Sequence, residues 1–440
     1  MNYDEAIAYL DRHIELGWKP GLERIERLTE LMGSPQRRYP VIHVAGTNGK
    51  TTVTRAAASI VNALGLKAGT YTSPHLDRVE ERFAVSGEDA TPEQFAQAVD
   101  DVAAFVDLLE IQTGERATYF ELTTAAAFAH FANEAADVGV VEVGMGGRLD
   151  ATNVLEAEVA VLTGVSIDHA EYLGHTPVDI AGEKLAIVKS GAVLVTGELT
   201  DEVASVADRR VERVATLRRT LGRDFRIEDL RMSVGGWAMD VDGIYGRYED
   251  LYVPLHGRHQ ASNAAVAVAA VEELLSRSLP VEAVQEGLAT LAVPARIEVM
   301  DHSPLVLIDG AHNPEGCEGL VRTMLEEFRP MAWTLVVGAF RDKDLPSMLR
   351  PFAGLTARVI ATRVDHPRAA DPVDIVRLVD RMLPGVPVSS TGDVAAALEL
   401  AREWTGPDEA IVVAGSLYVA GEARSIILSE ESAGVRNDCG

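Results

Sequence analysis

The stretch VIHVAGTNGKTTVTRAAASIV, residues 41–61, leaves few folds open to this chain. An apolar run, 41–45, ends in a polar glycine turn and passes into an alanine-rich helical pattern. Strand, turn and helix in that order set backbone amides at a helix N-terminus, where the peptide dipoles favour an anion. Gly46 and Gly49 let the backbone approach a phosphate closely, Lys50 would reach the outer phosphates, and the Thr51 hydroxyl would ligate Mg²⁺. The pattern G-x-x-x-x-G-K-[ST] asks for glycine at position 44, where the chain has Val44, so the match is partial. A plain glycine turn before a helix cap is the competing reading, and the order of elements favours the phosphate.

Such a loop needs a parallel sheet around it, and the neighbouring sequence supplies one. After helical patterns at 3–16 and 22–33, strand-like runs at 41–45, 67–71, 138–143, 159–163 and 192–196 alternate with helical stretches near 50–64, 92–111, 119–135 and 177–189. Short apolar strands separated by helices predict a parallel sheet covered on both faces. Between 223 and 255 short alternating strands predict a small antiparallel sheet, and HQASNAAVAVAAVEELL then reads as a long helix. The proline-bearing LAVPARIEV, 291–299, reads as a linker. Beyond it, strands near 305–309, 333–338, 356–361 and 410–414 alternate with helices near 315–328, 344–351, 371–382, 393–404 and 418–429. The expected fold class is α/β. A P-loop-containing parallel-sheet domain with a small antiparallel subsheet spans 1–293, and a smaller Rossmann-like α/β domain spans 298–440.

Bulk properties narrow the partners. A chain of 440 residues exceeds one ordinary core. With 67 acidic against 40 basic residues, a net charge of −27 and no Lys/Arg block, neither nucleic acid nor an anionic membrane is an expected partner. Two cysteines, Cys317 and Cys439, make no disulfide framework or thiolate metal cluster, which fits a reducing cytoplasm. The N-terminus carries acids where a signal peptide would carry lysines, and no uncharged run approaches the roughly 20 residues a membrane span needs. A soluble cytoplasmic protein is expected.

Three further clusters carry chemistry. In VVEVGMGGRLDATNV, 140–154, the dinucleotide pattern G-x-G-x-x-G fails at Leu149, but Glu142 stands near the end of an apolar strand. A carboxylate there is either paired in a buried salt bridge or bound to a metal; a phosphate loop on a neighbouring strand favours the metal. In SIDHAEYLGHTPVDIAGEKLAIVKSG, 166–191, His169 follows a strand and Lys184 lies in the next helix. Alone, His169 is a polar residue at a strand end; beside a phosphate loop, His169, Glu142 and Lys184 suit a site whose anionic charge must be balanced. In the second domain LVLIDGAHNPEG sets Asp309 at a strand end and His312 in the turn before a helix, with Pro314 at the helix start. That stretch also reads as an ordinary capped turn.

Taken together, the motifs resemble the folylpolyglutamate synthase / dihydrofolate synthase family of the Mur ligase superfamily. The resemblance runs almost the whole chain, through HVAGTNGKTT, TSPHLDRVEERFAVSG, VEVGMGGRLDATN, IDHAEYLGHTPVDIAGEKLAIVK, HGRHQASNAAVA, LIDGAHNPEG, DKDLPSML and AGSLYVAGEA. It implies an ATP-dependent amide ligase: a carboxylate of dihydropteroate or a reduced folate is phosphorylated, and the amine of L-glutamate displaces the phosphate. On matching positions, Gly46, Thr47, Asn48, Gly49, Lys50 and Thr51 would hold the triphosphate, and Gln260, Asn263, Arg296 and Asp309 would complete the nucleotide site. Thr51 and Glu142 would bind one Mg²⁺; His169, Glu142 and Lys184 would surround a second, Lys184 as its carbamate. Lys50, Lys184, His169, Asp309 and His312 are the implied catalytic set, and Ser73, His75 and Arg82 the substrate set. The resemblance also implies a monomer, and a two-domain clamp that excludes water from the acyl phosphate.

The chain departs from the family pattern at Thr51-Thr52, at Ala295 in the linker and at Leu185-Ala186 beside Lys184. A ligase of the same superfamily acting on a non-folate carboxylate is therefore the alternative. About 40 residues ahead of the loop are too few for the separate substrate domain usual in cell-wall ligases. A P-loop switch protein without ligase activity is a third reading, which the convergence of polar residues on a shared cleft disfavours.

Overall fold

The computed structural model describes residues 1–14, 19–329 and 331–437. It divides into two compact units, one of residues 1–233, 237–254 and 260–292, the other of 234–236, 255–259 and 293 onward. Residues 15 and 16 of the first expected helix, and Cys439, lie outside the described residues.

The first unit is built on eight strands: β1 (Val41–Ala45), β2 (Ala68–Tyr71), β3 (Phe83–Val85), β4 (Glu88–Asp89), β5 (Val138–Glu142), β6 (Val159–Leu162), β7 (Val193–Thr196) and β8 (Arg218–Thr220). Their order is β4-β3-β2-β5-β1-β6-β7-β8. From β2 to β8 every neighbour is parallel, and β3 and β4 extend the edge antiparallel. β1 is buried along its whole length between β5 and β6, Val44 standing opposite Glu142 on one side and Val161 on the other. The glycine turn after β1 therefore emerges at the carboxyl edge of the sheet, where ligands of open α/β sheets bind. A three-stranded antiparallel sheet, β9 (Arg226–Ser233), β10 (Gly236–Asp242) and β11 (Arg247–Val253), precedes the helix Arg258–Leu275. Buried Glu272 on that helix accepts the amides of Ile244 and Tyr245 and the Tyr248 hydroxyl, tying down the β10–β11 turn.

The second unit holds β12 (Glu298–His302), β13 (Leu305–Ile308), β14 (Trp333–Val337), β15 (Thr356–Ala361), β16 (Val388–Ser390) and β17 (Ala410–Ala414), ordered β12-β13-β17-β14-β15-β16. All pairs are parallel except β12 with β13. Its core gathers Trp333, Leu335, Val359, Val412, Phe352 and the buried Cys317.

Two expectations about elements change. The segment 291–299 is not all linker: Glu298 already pairs with Ile308 as the first residue of an edge strand. The helix from Pro177 ends at Lys184, not 189, and closes in a tight turn, Leu185–Ile187. Arg210 stabilises that ending by donating to the carbonyls of Ala186 and Val188, which a continuing helix would need. Leu185 sits in the core with Ile187, Val188 and Leu194, so its departure from the family pattern is absorbed by packing.

Candidate active site

The phosphate loop is braced before any ligand arrives. Thr47 N–H donates to the Gly164 carbonyl at 2.9 Å, and its hydroxyl bridges the backbone of Ser166, donating at 3.1 Å and accepting at 3.0 Å. The Thr163 hydroxyl donates to the Asn48 carbonyl at 2.6 Å. These bonds hold the loop after β1 to the loop after β6. Two glycines are obligatory for steric reasons: a Cβ on Gly46 would collide with the Thr163 hydroxyl, and one on Gly49 would stand 2.6 Å from Asn263 Oδ1. Gly49 also has φ +83°, a left-handed conformation that any side chain would strain. Asn263 donates to Gln260 Oε1 at 3.0 Å, so the helix Arg258–Leu275 lays this amide pair against the loop. Lys50 begins the helix Lys50–Ala63, its Nζ donating to the Thr47 carbonyl at 3.1 Å.

Glu142 ends β5 fully buried, and the Thr51 hydroxyl lies 3.1 Å from both its carboxylate oxygens. A hydroxyl and a carboxylate set side by side at the outer end of a phosphate loop are donors a hard cation takes. Lys184, 5% exposed, donates from Nζ to the Gly46 carbonyl at 2.8 Å. Burial, reinforced by the charge of Lys50, lowers its pKa to about 7, against the opposing pull of Asp168 and Asp150. The amine is thus poised between ammonium and the neutral form that reacts with CO₂. His169 caps the short helix Ala170–Leu173 in a left-handed conformation, φ +50°, with Asp168 beside its ring.

The structure gathers Lys50, Thr51, Glu142 and Lys184 about the loop, and Asp168 links His169 to Lys184 electrostatically. Among the described residues no three His, Cys, Asp or Glu side chains form a ready-made metal cage.

Ser73, His75 and Arg82, the residues expected to take the substrate, lie in the same unit. Arg82 is buried and donates from Nε to His75 Nδ1 at 3.0 Å, with its guanidinium over the Tyr119 ring. Burial, and then the Arg82 charge, lower the His75 pKa to about 4. His75 is therefore neutral, with Nδ1 as acceptor and the proton on Nε2. Ser73 is half-buried ahead of a cis bond to Pro74.

In the second unit Asp309 follows β13 and accepts the amides of Ile297 at 2.8 Å and Ala311 at 2.7 Å. Burial raises its pKa while the Arg296 charge opposes the rise. The two carboxylate oxygens thus hold the amide that follows Arg296 and the amide that precedes His312. His312 donates to the Gly310 carbonyl at 2.8 Å. Arg296 sits between two left-handed non-glycine residues, Ala295 at φ +54° and Ile297 at +49°. The linker alanine therefore adopts the conformation that glycine adopts freely, at a cost of about 1–2 kcal/mol.

In the first unit two further buried polar residues, Asp150 and His43, are not singled out by the motifs that the sequence offers. Asp150, buried, accepts from the amides of Met145 and Thr152 and from the Thr152 hydroxyl. His43, inside β1, bonds that same hydroxyl. A histidine within an apolar strand was the available signal.

Comparison with known proteins names the class to which this fold and loop belong. Residues 44–271 match the Mur ligase middle domain, and residues 295–417 match the Mur ligase glutamate ligase domain. The "Dihydrofolate synthase/folylpolyglutamate synthase" of Mycobacterium tuberculosis is 37% identical over 92% of this chain and 90% of its own length. A crystal structure of Mycobacterium tuberculosis folylpolyglutamate synthase complexed with ADP and AMPPCP superposes with a TM-score of 0.92 at 35% identity, covering 97% of this chain and 99% of that one. Escherichia coli FolC in complex with DHPP and ADP gives a TM-score of 0.87 at 28% identity, covering 98% and 99%. The chain belongs to the folylpolyglutamate synthase / dihydrofolate synthase family of Mur ligases.

Proposed function

We propose that the chain is an ATP-dependent ligase that joins L-glutamate to a carboxylate of dihydropteroate or of a reduced folate. The observation that carries this reading is the buried Glu142 carboxylate under the Thr51 hydroxyl, with Lys50 and Lys184 on either side of one phosphate loop. Relatives solved with ADP, AMPPCP and DHPP support the choice of ligands.

The loop amides from Gly46 to Thr51 cradle the ATP phosphates and Lys50 neutralises the outer ones. Gln260 and Asn263, whose amide pair lies against the loop, are assigned to the nucleotide. The γ-phosphorus is transferred to a carboxylate oxygen of the acceptor, and ADP leaves. The glutamate amine then attacks the activated carbonyl carbon, losing a proton as the amide bond forms, and phosphate departs. Ser73, His75 and Arg82 are assigned to the acceptor. Neutral His75 can donate from Nε2, and Arg82 fixes its tautomer. Asp309 holds the backbone that presents His312.

Thr51 and Glu142 would hold one Mg²⁺, whose charge stabilises the phosphates during transfer. As an ammonium, Lys184 does not fit a second metal. As a carbamate, formed when its neutral amine adds to CO₂ and releases a proton, it supplies an anionic oxygen donor and fits with His169. Among the described residues no helix is long and apolar enough to cross a membrane. Incubating the protein with Mg-ATP and L-glutamate tests the proposal. Phosphate release is expected only when dihydropteroate or tetrahydrofolate is added, and release stimulated by neither would refute it.

A further inference from the structure

His43 is an unusual residue to find at the centre of a parallel sheet. It is completely buried on β1, three positions before the loop begins, and Nδ1 has no hydrogen-bond partner among the described residues. Burial, with Lys189 adding to the effect, pushes its pKa down to about 3, so the ring is neutral at every working pH. Leaving a buried ring nitrogen unpartnered costs free energy that an apolar residue would not incur. The other ring nitrogen compensates: Nε2 lies 2.8 Å from the Thr152 hydroxyl oxygen.

The direction of the chain follows from what each group can do. Burial raises the pKa of the Asp150 carboxyl, and the donors around it oppose the rise. Its Oδ1 already takes the Thr152 amide, and the further donor to that oxygen, 2.5 Å away, is the Thr152 hydroxyl. Its oxygen then accepts from His43, which places the proton on Nε2 and leaves Nδ1 bare. Asp150 in turn takes the Thr152 amide at 3.0 Å on the same oxygen and the Met145 amide at 2.8 Å on the other. Those bonds close the glycine-rich loop 144–150 upon itself.

The loop is pressed against the helix that ends at Lys184. Arg148 N–H donates to the Glu183 carbonyl at 2.9 Å, and its guanidinium pairs with the Glu183 carboxylate at 3.0 Å. At Gly147 there is no room for a side chain, since a Cβ would stand 2.7 Å from the Glu183 carbonyl oxygen and 2.8 Å from that of Lys184. One continuous set of contacts therefore leads from the strand beneath the phosphate loop to the end of the helix that bears Lys184.

We propose that His43 is a positioning residue for phosphoryl transfer: through Thr152 and Asp150 it fixes loop 144–150, and so the end of the helix that presents Lys184 to the phosphate loop. It touches no reacting atom. The activity arm of the test rests on the ligase reading; the hydrogen-bond arm does not.

The test compares His43→Leu, His43→Gln, Thr152→Val and His43→Leu/Thr152→Val in the full chain. Glutamine can return a donor near Nε2, whereas leucine fills the space without one. His43→Leu and Thr152→Val are expected to lower kcat about tenfold or more, with KM for ATP held within about twofold, the size of loss seen when an outer-shell partner is removed. His43→Gln should recover most of the turnover, and the double variant should be no slower than the slower single one. By hydrogen exchange, the Met145 amide should exchange about tenfold faster in His43→Leu, a local loosening. The Val53 amide, bonded within the phosphate-loop helix, should be unchanged. Equal loss in His43→Gln and His43→Leu, or losses that multiply in the double variant, would overturn the relay and leave His43 a packing residue. If wild type ligates nothing, the ligase reading fails instead, and the exchange arm decides alone: unaltered Met145 exchange overturns the relay.

Discussion

Replacing Lys184 with methionine isolates what it costs to bury an amine beside Lys50. Methionine keeps the apolar stem and removes the charge. In the folded chain Lys184 titrates at about 7 instead of its ordinary 10.5. Between those values the unfolded chain holds the proton and the folded chain does not. Stability therefore rises with pH through that window, and the penalty is complete only below about pH 7. Three and a half decades at about 1.4 kcal/mol each place the penalty near 5 kcal/mol in acid, falling to about 2 kcal/mol at pH 9. The hydrogen bond to the Gly46 carbonyl, lost in the variant, offsets about 1 kcal/mol of the gain at every pH. Lys184→Met should thus be more stable than wild type at pH 6, and the difference should shrink by about 2–3 kcal/mol by pH 9, several degrees in Tm. Urea unfolding across that range in bicarbonate-free buffer measures it. A difference that stays constant with pH would refute the assignment of a buried, depressed amine. The same variant should bind nucleotide and lose about 10²-fold or more in ligation, as loss of a preorganised charge in a transfer site does.

Other perturbations follow from the same geometry. Gly49→Ala should weaken ADP binding at least about tenfold by calorimetry, since its Cβ meets Asn263 and its backbone is left-handed; an unchanged Kd would mean the loop does not hold the phosphates. Glu142→Gln should raise the Mg²⁺ concentration for half-maximal phosphate release by about tenfold or more while leaving the fold intact, because it removes the buried carboxylate beside Thr51. Arg82→Met should raise the His75 pKa from about 4 towards its ordinary 6.5 without reaching it, because burial, the larger cause, remains. Following the His75 ring by NMR titration checks the direction, and a further fall would contradict it.

How much of this was legible in the sequence depends on the kind of signal. Buried parallel strands announce themselves as unbroken apolar runs, so β1, β5, β6 and β7, and in the second unit β13, β14, β15 and β17, were placed within a residue or two. Edge strands do not. β12, with Glu298, Asp301 and His302 among five residues, reads as polar linker, and β3 and β4 are too short to show alternation. The helices Asp201–Val214 and Val281–Ala289 were passed over, although Thr200 accepts from the Val203 amide as an N-cap. Among the site residues, Lys50 and Thr51 lie in one local motif, and Glu142 stands out as a carboxylate in an apolar strand. His43 and Asp150 were missed because their meaning depends on Thr152, 109 positions from His43. Spacing along the chain does not carry such contacts. Nor did the sequence show that Asp309 places both its oxygens on backbone amides, which makes it a brace for its segment.

The central claim is tested most directly by the mass of the product. Purified protein, Mg-ATP and L-glutamate are combined with dihydropteroate in one reaction and tetrahydrofolate in another, and phosphate release and product mass are read together. One phosphate should be released per glutamyl residue gained by at least one of the two acceptors, with both signals lost in Glu142→Gln. Phosphate release without any gain in acceptor mass, or ligation that persists undiminished in Glu142→Gln, would contradict it.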